Sequence, residues 1–170
     1  MLLLGSANGQ INVLDLSPSR RDKNYVPVAA VSAETAHSQP ILSIEWYPGD
    51  HGIFFSLDAI GKLHIWDAAT MVTAETKRLK RFDPTQGQFS PNGKRVAVGG
   101  KDGVKFFDLA SGSVRSEISD PALKNVTCLG WARNKTRFLS VGEANGHVRL
   151  YDVRNSKLGI GKFLILIRPR

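Results

Sequence analysis

The chain has 170 residues, enough for one domain of ordinary size with a real core. Hydrophobic residues make up 42% and charged residues 22%, a globular balance that excludes a disordered chain; 23 Lys and Arg against 15 Asp and Glu leave a net charge of +8. The single cysteine, Cys128, excludes an internal disulfide, fits a reducing compartment and is expected to pack as a small apolar side chain.

In chain order, Met1-Leu2-Leu3-Leu4 stops at Gly5 with no basic region before it, so it reads as a strand and not as a secretion signal. No run approaches the roughly 18 apolar residues of a membrane span, and a soluble protein is expected. Gly9 to Asp15 (GQINVLD) forms a second strand, and Val26 to Val31 (VPVAAV) a third, which Pro27 assigns to an outer edge because it lacks a ladder donor. Four alternating stretches follow: Ile41 to Trp46, Gly52 to Ser56, Lys62 to Trp66 and Val72 to Leu79. The next set is Gly87 to Ser90, Arg95 to Gly99, Lys105 to Asp108 and Val114 to Ile118, with Pro91-Asn92-Gly93 as a turn. A last set runs Val126 to Trp131, Phe138 to Val141 and His147 to Asp152, and is followed by the uninterrupted apolar run Phe163 to Ile167 and by Arg168-Pro169-Arg170.

Gly61-Lys62-Leu63-His64-Ile65-Trp66-Asp67 has the same form as Gly9 to Asp15, Gly103 to Asp108 and Gly146 to Asp152: a glycine turn, an alternating strand and a closing aspartate. The aspartates at 15, 67, 108 and 152 are 52, 41 and 44 residues apart. The two shorter steps match the roughly 40–45 residue period of a four-stranded propeller blade. The excess in the first step falls in Ser17 to Asn24 and the stretch up to His37. The expected fold is all-β: an incomplete propeller of about two full and two partial four-stranded blades in an open arc, over 1–160, with an atypical apolar and basic tail at 161–170. Closed propellers use 4–8 blades, so the sequence reads as a fragment, an alternative product or a misjoined gene model whose open strand edges invite aggregation.

With its period, its Trp66-Asp67 close and Ala36-His37 standing ahead of the strand that ends at Trp46, the chain resembles the WD-repeat family. That resemblance implies a hydrogen-bonded set of His37, Ser56, Asp58 and Trp66. Buried polar groups of these types are tolerable only when they satisfy one another. Asp58 stands two residues further from the closing aspartate than the family pattern has it, and in the other repeats Asn8, Asp102 and Asn145 take the turn position. Only one repeat can carry the whole set.

Within the family, Glu45 to Gly52, Ile53 to Ser56, His64 to Thr70, Val96 to Gly99, Asp108 to Ser113 and Arg149 to Arg154 resemble a substrate receptor of a cullin-RING ubiquitin ligase acting in transcription-coupled nucleotide excision repair. The resemblance implies a nuclear, non-catalytic interaction scaffold. It also implies that Tyr151, Asp152 and Arg154, as a Tyr-Asp-x-Arg box at a strand end, touch the propeller adaptor of the ligase.

Other chemistry has little to build on. His37, His51, His64 and His147 are scattered without cysteine partners at metal spacing, so no metal or other cofactor is expected. Val98 to Gly103 is glycine-rich but joins strand to strand without the helix that phosphate binding uses. No nucleophile has a base beside it in the sequence, and no enzyme is expected. Arg20-Arg21-Asp22-Lys23 and Lys77-Arg78-Leu79-Lys80-Arg81 suggest weak phosphate contacts, or, as the alternative function, a basic propeller that binds nucleic acid or assists ribonucleoprotein assembly without a ligase. The clusters lack interleaved aromatics for base stacking, which favours a solvated basic face.

Overall fold

The computed structural model describes residues 1–17, 27–115, 118, 120, 122–133 and 137–153, with the backbone of 163–166. Among these the structure is all-β and contains no helix. It divides into two compact units, Met1–Arg78 and Leu79–Arg170. Each holds two antiparallel sheets whose strands follow one another in sequence order, the meander of a propeller blade. Four such sheets of three or four strands are what an incomplete WD-repeat propeller consists of.

In the first unit, β1 (Leu2–Gly5), β2 (Ile11–Leu14) and β3 (Pro27–Val31) form a three-stranded sheet in that order. Pro27 therefore lies on an edge strand, where its missing N–H leaves no ladder bond unmade. The second sheet runs β4 (Ile41–Trp46), β5 (Ile53–Asp58), β6 (Lys62–Asp67) and β7 (Val72–Arg78). Its two central strands are buried on both faces: Phe54 through Asp58 and Leu63 through Trp66 are all inaccessible. The alternation in their sequence therefore does not separate a wet face from a dry one. Phe54 and Trp66 pack with Ile11, Val31 and Ala36 into one core. The outer strand β7, polar in sequence, is exposed along most of its length.

In the second unit, β8 (Pro84–Phe89), β9 (Arg95–Gly100), β10 (Gly103–Asp108) and β11 (Val114–Arg115) make the third sheet. β8 begins three residues before the expected Gly87, because its polar residues are used inward. Gln86 Oε1 accepts the Leu129 N–H at 2.7 Å, Gln88 Oε1 accepts the Trp131 N–H at 3.3 Å, and the Thr85 hydroxyl donates to the Val126 carbonyl at 2.7 Å. Leu129 and Trp131 belong to β12 (Val126–Trp131), the edge strand of the fourth sheet, whose other members are β13 (Phe138–Glu143), β14 (His147–Asp152) and β15 (Phe163–Leu166). Three side chains of β8 thus satisfy an edge that would otherwise present bare ladder groups. β15, from the apolar run near the end of the chain, pairs with β14, Ile165 opposite Val148.

Cys128 departs from expectation. A bulge between Val126 and Cys128 sets Thr127 and Cys128 on the accessible side of β12, so the thiol is exposed and is not a core side chain.

The turns into β2, β6, β10 and β14 each carry a glycine with positive φ, at Gly9, Gly61, Gly103 and Gly146. The turns out of these strands are closed by an aspartate where the bonds are described. Asp67 Oδ1 accepts the Ala69 and Thr70 N–H groups, and Asp108 Oδ1 that of Ser111, and these bonds hold both carboxyls below the usual carboxylate range. The repeat in the sequence is thus a repeat of turn chemistry as much as of apolar positions.

Candidate functional site

The structure brings His37, Ser56, Asp58 and Trp66 together, each 0% exposed. Ser56 sits on β5 and Trp66 on β6, and the indole Nε1–H donates to Ser56 Oγ at 2.8 Å. That bond leaves the Ser56 hydroxyl proton for His37 Nε2, 2.6 Å away, so Nε2 is the acceptor and Nδ1 carries the ring proton. Nδ1–H donates to Asp58 Oδ2 at 3.0 Å. The other oxygen, Asp58 Oδ1, accepts the Ile60 and Lys62 N–H groups at 3.1 and 2.8 Å. The relay therefore runs unbroken from an indole on β6 through the segment before β4 to the turn between β5 and β6. Asp58 completes it despite its two-residue displacement.

His64, which sequence reasoning did not single out, belongs to the same cluster. Its ring lies 4.7 Å from that of His37, edge to face. Nε2 faces the Ala36 carbonyl at 3.1 Å and must donate, so Nδ1 accepts the Thr76 hydroxyl proton at 2.7 Å. Burial, reinforced by His37 alongside, lowers its pKa to about 4. Burial lowers that of His37 as well, against the opposing pull of Asp58. Both rings are neutral in the fold.

Ser56, His37 and Asp58 reproduce the connectivity of a hydrolytic triad. Two features remove that chemistry. The Ser56 oxygen is already occupied by the Trp66 N–H, and all three groups are fully buried, so no substrate carbonyl reaches the nucleophile. The cluster binds chain to chain.

The fourth sheet rebuilds this arrangement from different residue types. Glu143 opens its turn as Asp58 does, each carbonyl accepting the N–H of the turn glycine at 3.0 Å. Arg149 and Tyr151 follow Gly146 at the distances at which His64 and Trp66 follow Gly61. Val141 replaces Ser56, so the hydroxyl is lost and Asp120 takes its part: the Tyr151 O–H donates to Asp120 Oδ2 at 3.1 Å. Arg149 bonds Glu143 Oε2 through Nε at 2.6 Å and reaches Asp120 Oδ2 through Nη1 at 3.5 Å. The bond to Glu143 raises the Arg149 pKa, and burial followed by Asp120 raises that of Tyr151. A relay through a histidine has become one through an arginine with the same task, fixing the segment before the first strand to the second and third.

Of the Tyr-Asp-x-Arg box, Tyr151 is 8% exposed and turned inward on Asp120, while Asp152 is half-buried at the end of β14. Arg154 lies outside the described residues, as do Arg20, Arg21, Asp22 and Lys23. Lys77 and Arg78 are on the outer strand β7. Among the described residues no group of acidic, histidine or cysteine side chains could hold a metal ion, and no helix is long and apolar enough to cross a membrane.

No family model matches the chain. It is 28% identical over 145 residues to protein transport protein SEC31 of Chaetomium globosum, covering 79% of this chain and 11% of that protein. It is 24% identical over 169 residues to WD repeat-containing protein ATCSA-1 of Arabidopsis thaliana, covering 91% of this chain and 37% of that one. With the transcriptional corepressor LEUNIG_HOMOLOG of the same plant it shares 26% over 110 residues, covering 64% and 14%. The chain thus spans between about a tenth and two fifths of the length of these relatives. The likenesses support a WD-repeat protein and, with it, an interaction scaffold. The names of the first and third describe two different cellular tasks.

Proposed function

We propose that the chain is part of a substrate receptor of a cullin-RING ubiquitin ligase, similar to the Cockayne syndrome A protein, and that it acts in the nucleus in transcription-coupled nucleotide excision repair. What carries the reading is the Tyr151-Asp152-Val153-Arg154 box at the end of β14, on a chain whose likeness to ATCSA-1 covers 91% of its length. Tyr151 is committed to Asp120, so its part is to hold the strand end in place. The contact with the propeller adaptor of the ligase then falls to Asp152 and Arg154. The planar fork of an arginine makes two hydrogen bonds at once to carboxylate or carbonyl groups, which lysine does not reproduce.

The test is adaptor capture by the purified chain. Arg154→Ala is expected to leave thermal stability within about 0.5 kcal/mol of the parent and to weaken adaptor binding by about 2 kcal/mol. Lys101→Ala, at an exposed turn of another sheet, serves as the control and should bind as the parent does. The net charge of +8 favours a second reading, a basic repeat protein that binds nucleic acid without a ligase. A salt titration separates the two, since counterion release makes nucleic-acid binding fall steeply with salt. A parent chain that ignores the adaptor but binds DNA or RNA in this salt-dependent way overturns the ligase reading.

A further inference from the structure

The end of the fourth sheet at which β14 finishes also holds an arginine whose charge the fold does not answer. Arg137 immediately precedes β13, and its carbonyl accepts the Val153 N–H at 2.7 Å, so it stands across from the middle of the Tyr151-Asp152-Val153-Arg154 box. One residue on, Phe138 pairs with Asp152. In the second and third sheets the same backbone bond joins Gly52 to Ala68 and Lys94 to Leu109, at 2.9 and 3.0 Å. Of these three equivalent positions, only that of the fourth sheet is an arginine. Its half-buried guanidinium lies over the Phe138 ring, with Cζ 4.5 Å from the ring centre. That contact engages the ring face and gives the N–H groups no acceptor. Among the described residues the side chain makes no hydrogen bond or ion pair, and its Nε is closed to solvent as well. Buried donors in folded chains are nearly always paired, so one left over calls for a reason outside the fold.

We propose that Arg137 is a further anchor of the adaptor contact beside the box, and that it takes the carboxylate of an acidic side chain on the adaptor. Nε–H and the neighbouring Nη–H form the side-on edge of the guanidinium, two parallel donors that match the two oxygens of a carboxylate. Rotation of the side chain over Phe138 brings that edge out to the partner. Docking then supplies the acceptor that the fold does not. A nucleic-acid backbone asks instead for a row of cations along a groove, whereas the feature here is one planar fork on one aromatic ring. The inference rests on the ligase reading and adds to it a residue outside the box.

The experiment is a calorimetric titration of the full chain with the adaptor, run beside thermal unfolding of the same samples. Arg137→Met keeps an apolar stem over Phe138 and removes the donors. It should unfold at the parent temperature or above, because the unpaired donor is gone, and should bind the adaptor about tenfold or more weakly, as loss of a hydrogen bond to a charged group does. Arg137→Lys keeps the charge without the fork and should recover only part of the loss. A residue that merely supported the strand end would do the opposite, lowering the unfolding temperature and leaving binding unchanged. Parent-like binding by Arg137→Met overturns the inference and leaves the ligase reading standing. So does weakened binding that comes with a lowered unfolding temperature in both variants. A parent chain that does not bind the adaptor overturns both, whether or not it binds a short oligothymidylate.

Discussion

Trp66 ends a relay of four buried side chains and stacks on Phe54 at 5.8 Å, so its truncation removes both a large core volume and the donor to Ser56. Trp66→Ala is expected to cost about 3–5 kcal/mol, read by urea unfolding, and a variant as stable as the parent would show that the relay is not what holds this sheet. The two neutral histidines add a pH dependence. The folded-state pKa of His64 lies near 4, below its ordinary 6.5, so the unfolded chain takes up a proton that the fold refuses. Stability is therefore full above about pH 6.5 and falls as pH drops toward 4, by roughly 1.4 kcal/mol per pH unit for one such group. His37, shifted in the same direction, steepens the fall. Unfolding free energies measured at pH 7 and pH 5.5 should show it, and His64→Gln should flatten the slope. The quartet was legible because its residue types match a known pattern in one repeat. His64 was not, because a polar residue between Leu63 and Ile65 looks outward-facing on an alternating strand, and only the burial of β6 on both faces turns it inward. The Asp120, Glu143, Arg149 and Tyr151 network was hidden for another reason. Its geometry repeats that of the quartet, but each matching position carries a different residue type.

Strands were legible wherever apolar residues alternate, and they were misjudged where polar residues serve the interior. β8 is the instructive case: Gln86 and Gln88 look like solvent-facing positions of a weak strand, yet they satisfy the backbone of β12. The glycine turns were legible throughout, since each marks a point where the chain needs positive φ. They differ in how closely they are packed, and this yields a graded expectation. A Cβ on Gly146 would meet nothing within 4 Å, so Gly146→Ala reports the backbone strain alone, about 1–2 kcal/mol. A Cβ on Gly9 would lie 1.8 Å from the His37 carbonyl oxygen, so Gly9→Ala adds overpacking of about 1–3 kcal/mol and displaces the segment that carries the relay. Denaturation midpoints of the two variants should fall in that order. Equal losses would contradict the close approach of the first turn to His37.

At the scale of the molecule, the period of the closing aspartates and the strand pattern within each repeat suffice for the all-β class and for four consecutive meanders. The longer first step, from Asp15 to Asp67, coincides with a sheet of three strands and a connection that includes residues outside the described set. What the period cannot supply is function, because the chain is similar to proteins as different as a transport protein and a transcriptional corepressor. Features that differ between the repeats lie at strand ends and turns, among them Asp152 at the end of β14. The account depends throughout on those turns being held by central strands that are buried and fully paired, and amide hydrogen exchange tests this directly. Amides of β5, β6, β9, β10 and β13 are expected to exchange slowest, with those of the exposed strand β7 exchanging sooner. Amides of these five strands that exchange as fast as those of β7 would contradict it.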